Sequence, residues 1–172
     1  EKIIRKRLGN KVYGTNEETL SSSVGKLLRQ RNRTLAAAES CTGGLLSSLL
    51  TYIGCSSKYF ILGIVAYSNK SKQDILKIPA GFIAKKGTVS QEVAEKLAQN
   101  VRKMAKTDFG IGVTGIAGPT GGTPQKPAGT VFIAVTSKNK TISKKFHFTG
   151  NRAAIRKKSA LKALELLKSL FE

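Results

Sequence analysis

The chain has 172 residues, of which 40% are hydrophobic, so it is long enough to form one domain with a buried core. The sequence contains no run of about 18 apolar residues, the length that a membrane-spanning helix needs, and its first residues lack the apolar segment of a secretory signal. Two cysteines, Cys41 and Cys55, are too few for a disulfide framework and do not have the spacing of zinc ligands. We therefore expect a cytoplasmic protein that uses no metal.

The charge of the chain is unusual for a protein of this size. Thirty basic residues against ten acidic ones give a net charge of +20, which favours binding to anions. The basic residues are scattered along the chain and form no single block, and no motif that reads DNA or RNA accompanies them. The charge indicates an anionic ligand without selecting one, and a generally basic surface without a partner is the alternative. Any contact with nucleic acid should be non-specific.

The first half of the chain alternates helix and strand signals. Apolar residues at helical spacing predict a helix over residues 17–31, with Asn16 as its N-cap. A buried strand is predicted at 34–39, and it runs through a glycine-rich turn into an apolar helix that ends near Tyr52. A second strand is predicted at 59–67.

The middle of the chain continues this alternation. A short helix is predicted at 73–77, with Pro79 as its stop. Ser90 has the pattern of an N-cap and should begin an amphipathic helix. A third strand is predicted at 109–114, and a glycine-rich loop follows at 115–123.

The last third of the chain predicts a hairpin and a helix. Strands at 130–136 and 141–148 should pair across a turn at Asn139, and a helix should follow at 152–170. Alternating helices and strands favour a sheet covered on both faces, and a hairpin makes such a sheet mixed. We predict an α/β fold of three layers, α/β/α, with a mixed, mostly parallel sheet.

The turn at Ser40 is the first candidate for chemistry. Ser40 lies where a buried strand meets a helix, and α/β sheets bind their ligands at such positions. The amides of residues 41–44 would present the positive end of a helix to a phosphate or an oxyanion. A plain N-cap at Ser40 or Thr42 is the alternative.

A serine nucleophile needs a base, and few side chains of this sequence can serve. His147 is the single histidine, and it completes a Ser-His-Asp triad only if its strand folds back onto Ser40. One histidine and two separated cysteines also make a poor zinc site. Hydrolysis that depends on a triad or on a metal is therefore disfavoured.

A lysine with a depressed pKa is the remaining kind of base. Lys70 and Lys72 follow the second predicted strand, next to Tyr67, which can relay a proton, and Asn69, which can orient a ligand. A solvated surface charge is the alternative for each lysine. The residues alone do not decide between Lys70 and Lys72.

The glycine-rich segment at 112–123 is the third candidate. Its glycines let backbone amides approach an anion closely, although its spacing is neither that of a Walker A loop nor that of a dinucleotide-binding loop. A mobile loop without a ligand is the alternative.

These segments, in this order, resemble the signature blocks of the CinA C-terminal family, whose enzymes are PncC-type nicotinamide mononucleotide (NMN) deamidases. Each block is weak alone, but their order is specific, and the resemblance covers roughly residues 18–172. The sequence departs from the family pattern at Asn151, where an acidic residue is usual. The matching blocks are AESCTGG at 38–44, AYSN at 66–69 with Lys72, GTVS at 87–90, GVTGIAGP at 112–119, GTV at 129–131, and GNR at 150–152 with Arg156.

The resemblance implies a serine amidohydrolase that converts NMN and water to nicotinic acid mononucleotide and ammonia. It makes Ser40 the nucleophile and Lys72 its base, and it places Tyr67 in the proton network. The amides after Ser40, or Thr114, would hold the oxyanion. It implies no cofactor, and it implies a homodimer. The residues expected to bind the substrate are Thr42, Gly43, Gly44, Asn69, Thr114, Gly115, Gly118, Gly121, Gly122, Thr123, Arg152 and Arg156.

The beginning of the chain resembles the junction that precedes this domain in full-length CinA proteins. We therefore expect residues 1–17 to be a linker or tail from a preceding domain, and 18–172 to be the amidohydrolase-like domain. Two other functions stay open. If the domain is a nucleotide-binding regulatory module with weak or no activity, Lys72 should be displaced or exposed. If it is a nucleic-acid-associated competence factor, it should bind DNA in a salt-sensitive way.

Overall fold

The computed structural model of the chain describes residues 18–171. Within that range, five strands form one sheet with the spatial order β2-β1-β3-β4-β5. The strands are β1 (Leu35–Glu39), β2 (Phe60–Val65), β3 (Phe109–Gly115), β4 (Thr130–Thr136) and β5 (Thr141–His147). β1 is parallel to β2 and β3, whereas β4 is antiparallel to both β3 and β5, so four of the five strands run the same way. The predicted mixed, mostly parallel sheet is confirmed.

Helices cover both faces of the sheet, as predicted. They are α1 (Leu20–Gln30), α2 (Leu45–Thr51), α3 (Asn69–Asp74), α4 (Ala80–Lys86), α5 (Gln91–Ala105) and α6 (Arg152–Lys168), with a 3₁₀ turn at Ser56–Lys58. Helices α1, α2 and α6 share one apolar core with the sheet, and α4 and α5 pack against its other face. In the described part of the chain, no helix combines the length and the apolarity needed to span a bilayer.

Two helix starts differ from the prediction. Asn16 lies outside the described residues, and the N-cap of α1 is Thr19, whose hydroxyl accepts the amide of Ser22. Helix α2 begins at Leu45, because Gly43 and Gly44 adopt positive φ angles that interrupt a right-handed helix.

The polar segment after β2 also differs from the prediction. The short helix α3 lies earlier than residues 73–77, because Ser68 caps it and forms a capping box with Ser71. Pro79 does not end this helix and instead is the N-cap of α4. The predicted N-cap at Ser90 is confirmed, since its hydroxyl accepts the amide of Val93.

The order of the strands locates the ligand-binding edge of the sheet. From β1 the chain passes to β2 on one side and later to β3 on the other, which makes the carboxyl end of β1 a topological switch point. Sheets of this kind bind ligands in the crevice at that point. Ser40 and the loop after Gly115 both lie there.

Helix α5 reaches the sheet closely because β3 carries glycines on the facing side. A Cβ atom at Gly110 would overlap the carbonyl of Ala98, and one at Gly112 would overlap the carbonyl of Ala94. Since these are backbone atoms in a helix, they cannot move aside without displacing α5 as a whole.

We expect Gly112→Ala to lower the free energy of unfolding by about 3 kcal/mol or more, because the added methyl group overpacks this contact. Gly81→Ala in α4 is the control, since its Cβ would meet no atom within 4 Å. It should raise the free energy of unfolding by roughly 0.5–1 kcal/mol. Urea unfolding of both variants measures the difference, and equal effects would contradict close packing at β3.

Candidate active site

A cavity of about 320 Å³ opens at the carboxyl ends of β1 and β3. It brings the turn after β1, Tyr67 after β2 and the glycine-rich loop after β3 into one place. The lining residues are Ser40, Cys41, Tyr67, Thr88, Val89, Thr114, Gly115, Ile116, Ala117, Gly118, Thr120, Gly121 and Arg152. The Ser40 hydroxyl makes no hydrogen bond within residues 18–171, so it is available to a ligand.

Glu39 organises the turn that carries Ser40. Its fully buried carboxylate accepts hydrogen bonds from the amides of Gly44 (3.0 Å), Leu46 (3.1 Å) and Ser47 (2.8 Å), and from the Ser47 hydroxyl (2.6 Å). These donors are the first amides of α2, which a helix leaves without intrahelical partners. The sequence analysis missed this role, although an acidic residue shortly before a helix is a recognisable capping signal.

Because Glu39 caps α2, fewer amides of the Ser40 turn are free to form the expected oxyanion site. The amide of Gly44 is bonded to Glu39, and the amide of Gly43 donates to the carbonyl of Ser40. The expectation that the amides of residues 41–44 open a helix and point at a ligand is therefore wrong for these two. The Thr114 hydroxyl donates to the carbonyl of Thr88 at 2.9 Å, so its proton is also engaged.

The structure separates the two candidate lysines. Lys70 is exposed and pairs with Asp74 at 2.9 Å, and this hydrogen bond raises the pKa of its amine. Lys72 is fully buried, and its Nζ donates to the carbonyls of Tyr67 (3.1 Å) and Ser68 (3.4 Å). No carboxylate in the described part of the chain pairs with Lys72, and burial lowers the pKa of its amine.

Cys41 follows Ser40 in the turn, and its thiol is buried. Burial raises the pKa of the Cys41 thiol to about 12, and the charges of Lys72 and Arg152 act in the opposite direction. The thiol is therefore a poor nucleophile, although it lines the cavity next to Ser40. Ser40 and Lys72 share no direct hydrogen bond within residues 18–171, and Lys72 does not line the cavity; its amine bonds to the carbonyl of Tyr67, which does line it.

The two arginines of the predicted substrate site have different surroundings. Arg152 lines the cavity and donates to the carbonyl of Gly118 (2.7 Å) and the hydroxyl of Tyr67 (2.9 Å). Arg156 lies outside the lining and donates twice to the carbonyl of Thr42, at 2.8 and 3.1 Å. Arg156 thus supports the turn, whereas Arg152 joins two walls of the cavity.

The glycine-rich loop supplies unpaired amides. Those of Ala117, Gly118, Thr120 and Gly121 have no acceptor within residues 18–171, and all four residues line the cavity. Such a group of amides suits an anion.

Several predicted substrate residues do not line the cavity. Gly43 and Gly44 form the turn, and Thr42 is buried beneath it with a hydroxyl that lacks a partner among the described residues. Asn69 reaches the cavity only through Thr88, whose hydroxyl donates to its side-chain carbonyl at 2.8 Å. Two loop residues beyond Gly121 also lie outside the lining: Gly122 and Thr123.

The structure does not assemble the disfavoured sites either. His147 lines an adjoining cavity of about 470 Å³, which shares Ala117, Gly118 and Arg152 with the Ser40 cavity, but His147 does not line the Ser40 cavity itself. Among residues 18–171, no three His, Cys, Asp or Glu side chains are grouped closely enough to hold a metal ion.

Comparisons with known proteins show the family to which this α/β domain belongs. Residues 17–171 match the family model of the CinA C-terminal domain. A competence-damage inducible protein of Thermoanaerobacter pseudethanolicus is 44% identical over 168 residues, covering 98% of this chain and 41% of that protein. A CinA-like protein of Thermotoga maritima is 44% identical over 167 residues, covering 97% and 41% respectively.

A solved structure gives the same relationship. The competence/damage inducible protein CihA from Agrobacterium tumefaciens superposes with a TM-score of 0.86 at 32% identity, over 89% of this chain and 94% of that one. The chain therefore belongs to the CinA C-terminal domain family. It spans 41% of the length of the two curated relatives named above.

We expect Glu39→Gln to lower the free energy of unfolding by about 2 kcal/mol or more, because a neutral amide replaces a buried carboxylate that accepts three backbone amides. Glu165→Gln is the control, since Glu165 is exposed and pairs only with Lys162 on the same helix. It should change the free energy by less than about 0.5 kcal/mol. Urea unfolding compares them, and a mild effect of Glu39→Gln would show that the cap is dispensable.

We expect the effect of Lys72→Met on stability to depend on pH. Burial depresses the pKa of Lys72 in the folded state below its ordinary value of 10.5. Protonation of Lys72 therefore destabilises the folded protein. This destabilisation is complete below the folded-state pKa and is absent above pH 10.5. Lys72→Met should therefore gain stability relative to the parent as the pH falls towards neutral. The control is Lys70→Met, for which the raised pKa predicts the opposite trend. Thermal unfolding across this pH range measures both, and a parent–variant difference independent of pH would contradict a buried, depressed amine at position 72.

Proposed function

We propose that this domain hydrolyses the carboxamide of nicotinamide mononucleotide to nicotinic acid mononucleotide and ammonia, with Ser40 as nucleophile and Lys72 as base. The observation that carries the proposal is the burial of Lys72 without a carboxylate partner in the described part of the chain, with its amine bonded to the carbonyl of Tyr67, a residue that lines the Ser40 cavity. A lysine in such a position favours the neutral amine, which is the form that can accept a proton.

The two hydrogen bonds of Lys72 orient its lone pair. A neutral amine has two N–H groups, and the carbonyls of Tyr67 and Ser68 can accept both of them. The lone pair then points away from these carbonyls, and the proposal requires that substrate binding bring it within reach of the Ser40 proton. Catalytic hydrogen bonds are often absent before the substrate binds.

The chemistry proceeds in two steps. The Ser40 oxygen attacks the carboxamide carbon while its proton passes to Lys72, and the C–N bond then breaks as Lys72 returns that proton to the departing nitrogen, which leaves as ammonia. Water attacks the resulting ester in the same way, giving the carboxylate and free Ser40. The unpaired loop amides are the best candidates to hold the oxyanion or the phosphate of the substrate.

Arg152 is the proposed anchor for the anionic substrate. Its guanidinium lies between Tyr67 and Gly118 at the cavity wall, where it adds positive charge next to the loop amides. The cavity of about 320 Å³ is at the small end of the range for ligand pockets. The predicted homodimer, the preceding domain and the cytoplasmic location remain predictions that accompany this function.

A regulatory module that binds the nucleotide without hydrolysing it is the second candidate. The absence of a direct hydrogen bond between Ser40 and Lys72 favours it, whereas the burial of Lys72 is contrary to its expectation of an exposed or displaced lysine. The same assay separates the two functions.

We expect the purified chain to release ammonia from NMN, and both Ser40→Ala and Lys72→Met to lower kcat by about 10²-fold or more, because each removes a group that takes part in the acyl transfer. Lys70→Met is the matched control and should retain the parent activity. Circular dichroism confirms that each variant is folded. If NMN raises the melting temperature of a parent that releases no ammonia, the domain is a binding module.

A further inference from the structure

A second and larger depression lies at the opposite end of the sheet from Ser40. A cavity of about 950 Å³ and a neighbouring one of about 340 Å³ share five lining residues, and we call the two together the groove. Arg33 precedes β1 and Ser40 follows it, which puts roughly 23 Å of strand between the groove and the candidate active site. The proposed hydrolysis does not use this groove.

Seven basic residues and one acidic residue line the groove. They come from the end of α1, the end of α5 and the β4–β5 turn, and they lie far apart in sequence. The sequence analysis found no basic block, but the fold gathers these residues on one surface. They are Arg31, Arg33, Arg102, Lys103, Lys106, Lys138 and Lys140.

The cations of the groove differ in how firmly they are held. Arg31 donates to the carbonyl of Phe171 (3.1 Å), and Arg102 donates to that of Thr107 (3.2 Å), so both guanidinium groups are positioned in advance. The acidic residue, Asp108, is already engaged by Arg33 at 2.8 Å and by Thr34.

The lysines of the groove are exposed and unpaired. Lys103, Lys106, Lys138 and Lys140 make no ion pair with any residue of the described range. Since Asp108 balances only Arg33, the groove keeps a large excess of positive charge at neutral pH. Like charges gathered in one concave surface raise the local concentration of anions.

The floor of the groove is partly aromatic. Phe109 and Phe171 pack against each other with ring centroids 5.2 Å apart, and Arg31 lies over the ring of Phe171. Both rings are half-buried and line the larger cavity. Aromatic rings next to cations are the combination that binds unpaired bases together with their phosphates.

We propose that this groove binds the sugar-phosphate backbone of a single-stranded nucleic acid, without sequence specificity. Two joined cavities with cations along both favour a chain of phosphates over a single nucleotide. The aromatic floor can contact only bases that are not paired, which favours a single strand over a duplex.

The test is fluorescence anisotropy of a labelled oligothymidylate of about twelve nucleotides, titrated with the chain at about 50–200 mM salt. The groove variant carries Lys103→Gln, Lys138→Gln and Lys140→Gln. It should bind at least about ten-fold more weakly, and the slope of log K against log salt should shrink by about 2, since each lost phosphate contact contributes about 0.7.

A control variant with the same net charge carries Lys58→Gln, Lys85→Gln and Lys157→Gln, which are exposed lysines outside the groove. It should keep the affinity and the salt slope of the parent. Equal losses in both variants would overturn the proposal, because the total charge would then explain binding.

Three further results would also overturn the proposal: no binding at the lowest salt, equal binding of a mononucleotide, or tighter binding of a duplex of the same length. Excess NMN should not displace the oligonucleotide, and displacement would place the nucleic acid at the Ser40 cavity instead. The groove variant should retain the ammonia release of the parent chain. Failure of the proposed hydrolysis is thus distinguishable from failure of this inference.

Discussion

The buried carboxylate of Glu39 is the constraint on which the candidate active site depends. A carboxylate at the end of a central strand must be compensated, and the unpaired amides of a helix start are the donors within reach. Helix α2 must therefore begin directly above the end of β1, and the chain between them must turn within a few residues. Gly43 and Gly44 allow this turn through their positive φ angles, and Ser40 is left at its edge beside the cavity.

The two ends of the sheet hold lysine in opposite states. At the carboxyl end, Lys72 is enclosed by the protein, and burial favours the neutral amine. At the amino end, the groove lysines are exposed and keep their charge, which suits them to phosphates and not to proton transfer. The net charge of +20 therefore combines lysines in different environments, because the fold buries Lys72 and leaves the groove lysines exposed.

The sequence predicted those features that depend on local patterns. Alternating apolar segments placed all five strands and the helix that Ser90 begins, because these signals lie within short windows. The start of α2 was missed because its cap comes from Glu39 in the preceding strand. The choice of Lys72 over Lys70 came from the family resemblance. The two lysines point about 200° apart around the short helix α3, and no periodicity in so short a segment shows which side is buried. The basic groove depends on contacts between distant segments.

Helix α6 couples the two walls of the candidate site. Arg152 and Arg156 lie one turn apart on this helix, and they reach the glycine-rich loop and the Ser40 turn respectively. Asn151, where this sequence departs from the family pattern, caps the same helix by accepting the amide of Ala154 at 2.9 Å. A neutral cap can replace an acidic one here because the side-chain carbonyl of asparagine accepts the amide about as well as a carboxylate does. Any movement of α6 would thus shift both walls together, so the shape of the cavity is linked to the packing of a helix that contributes only its first residue to the lining.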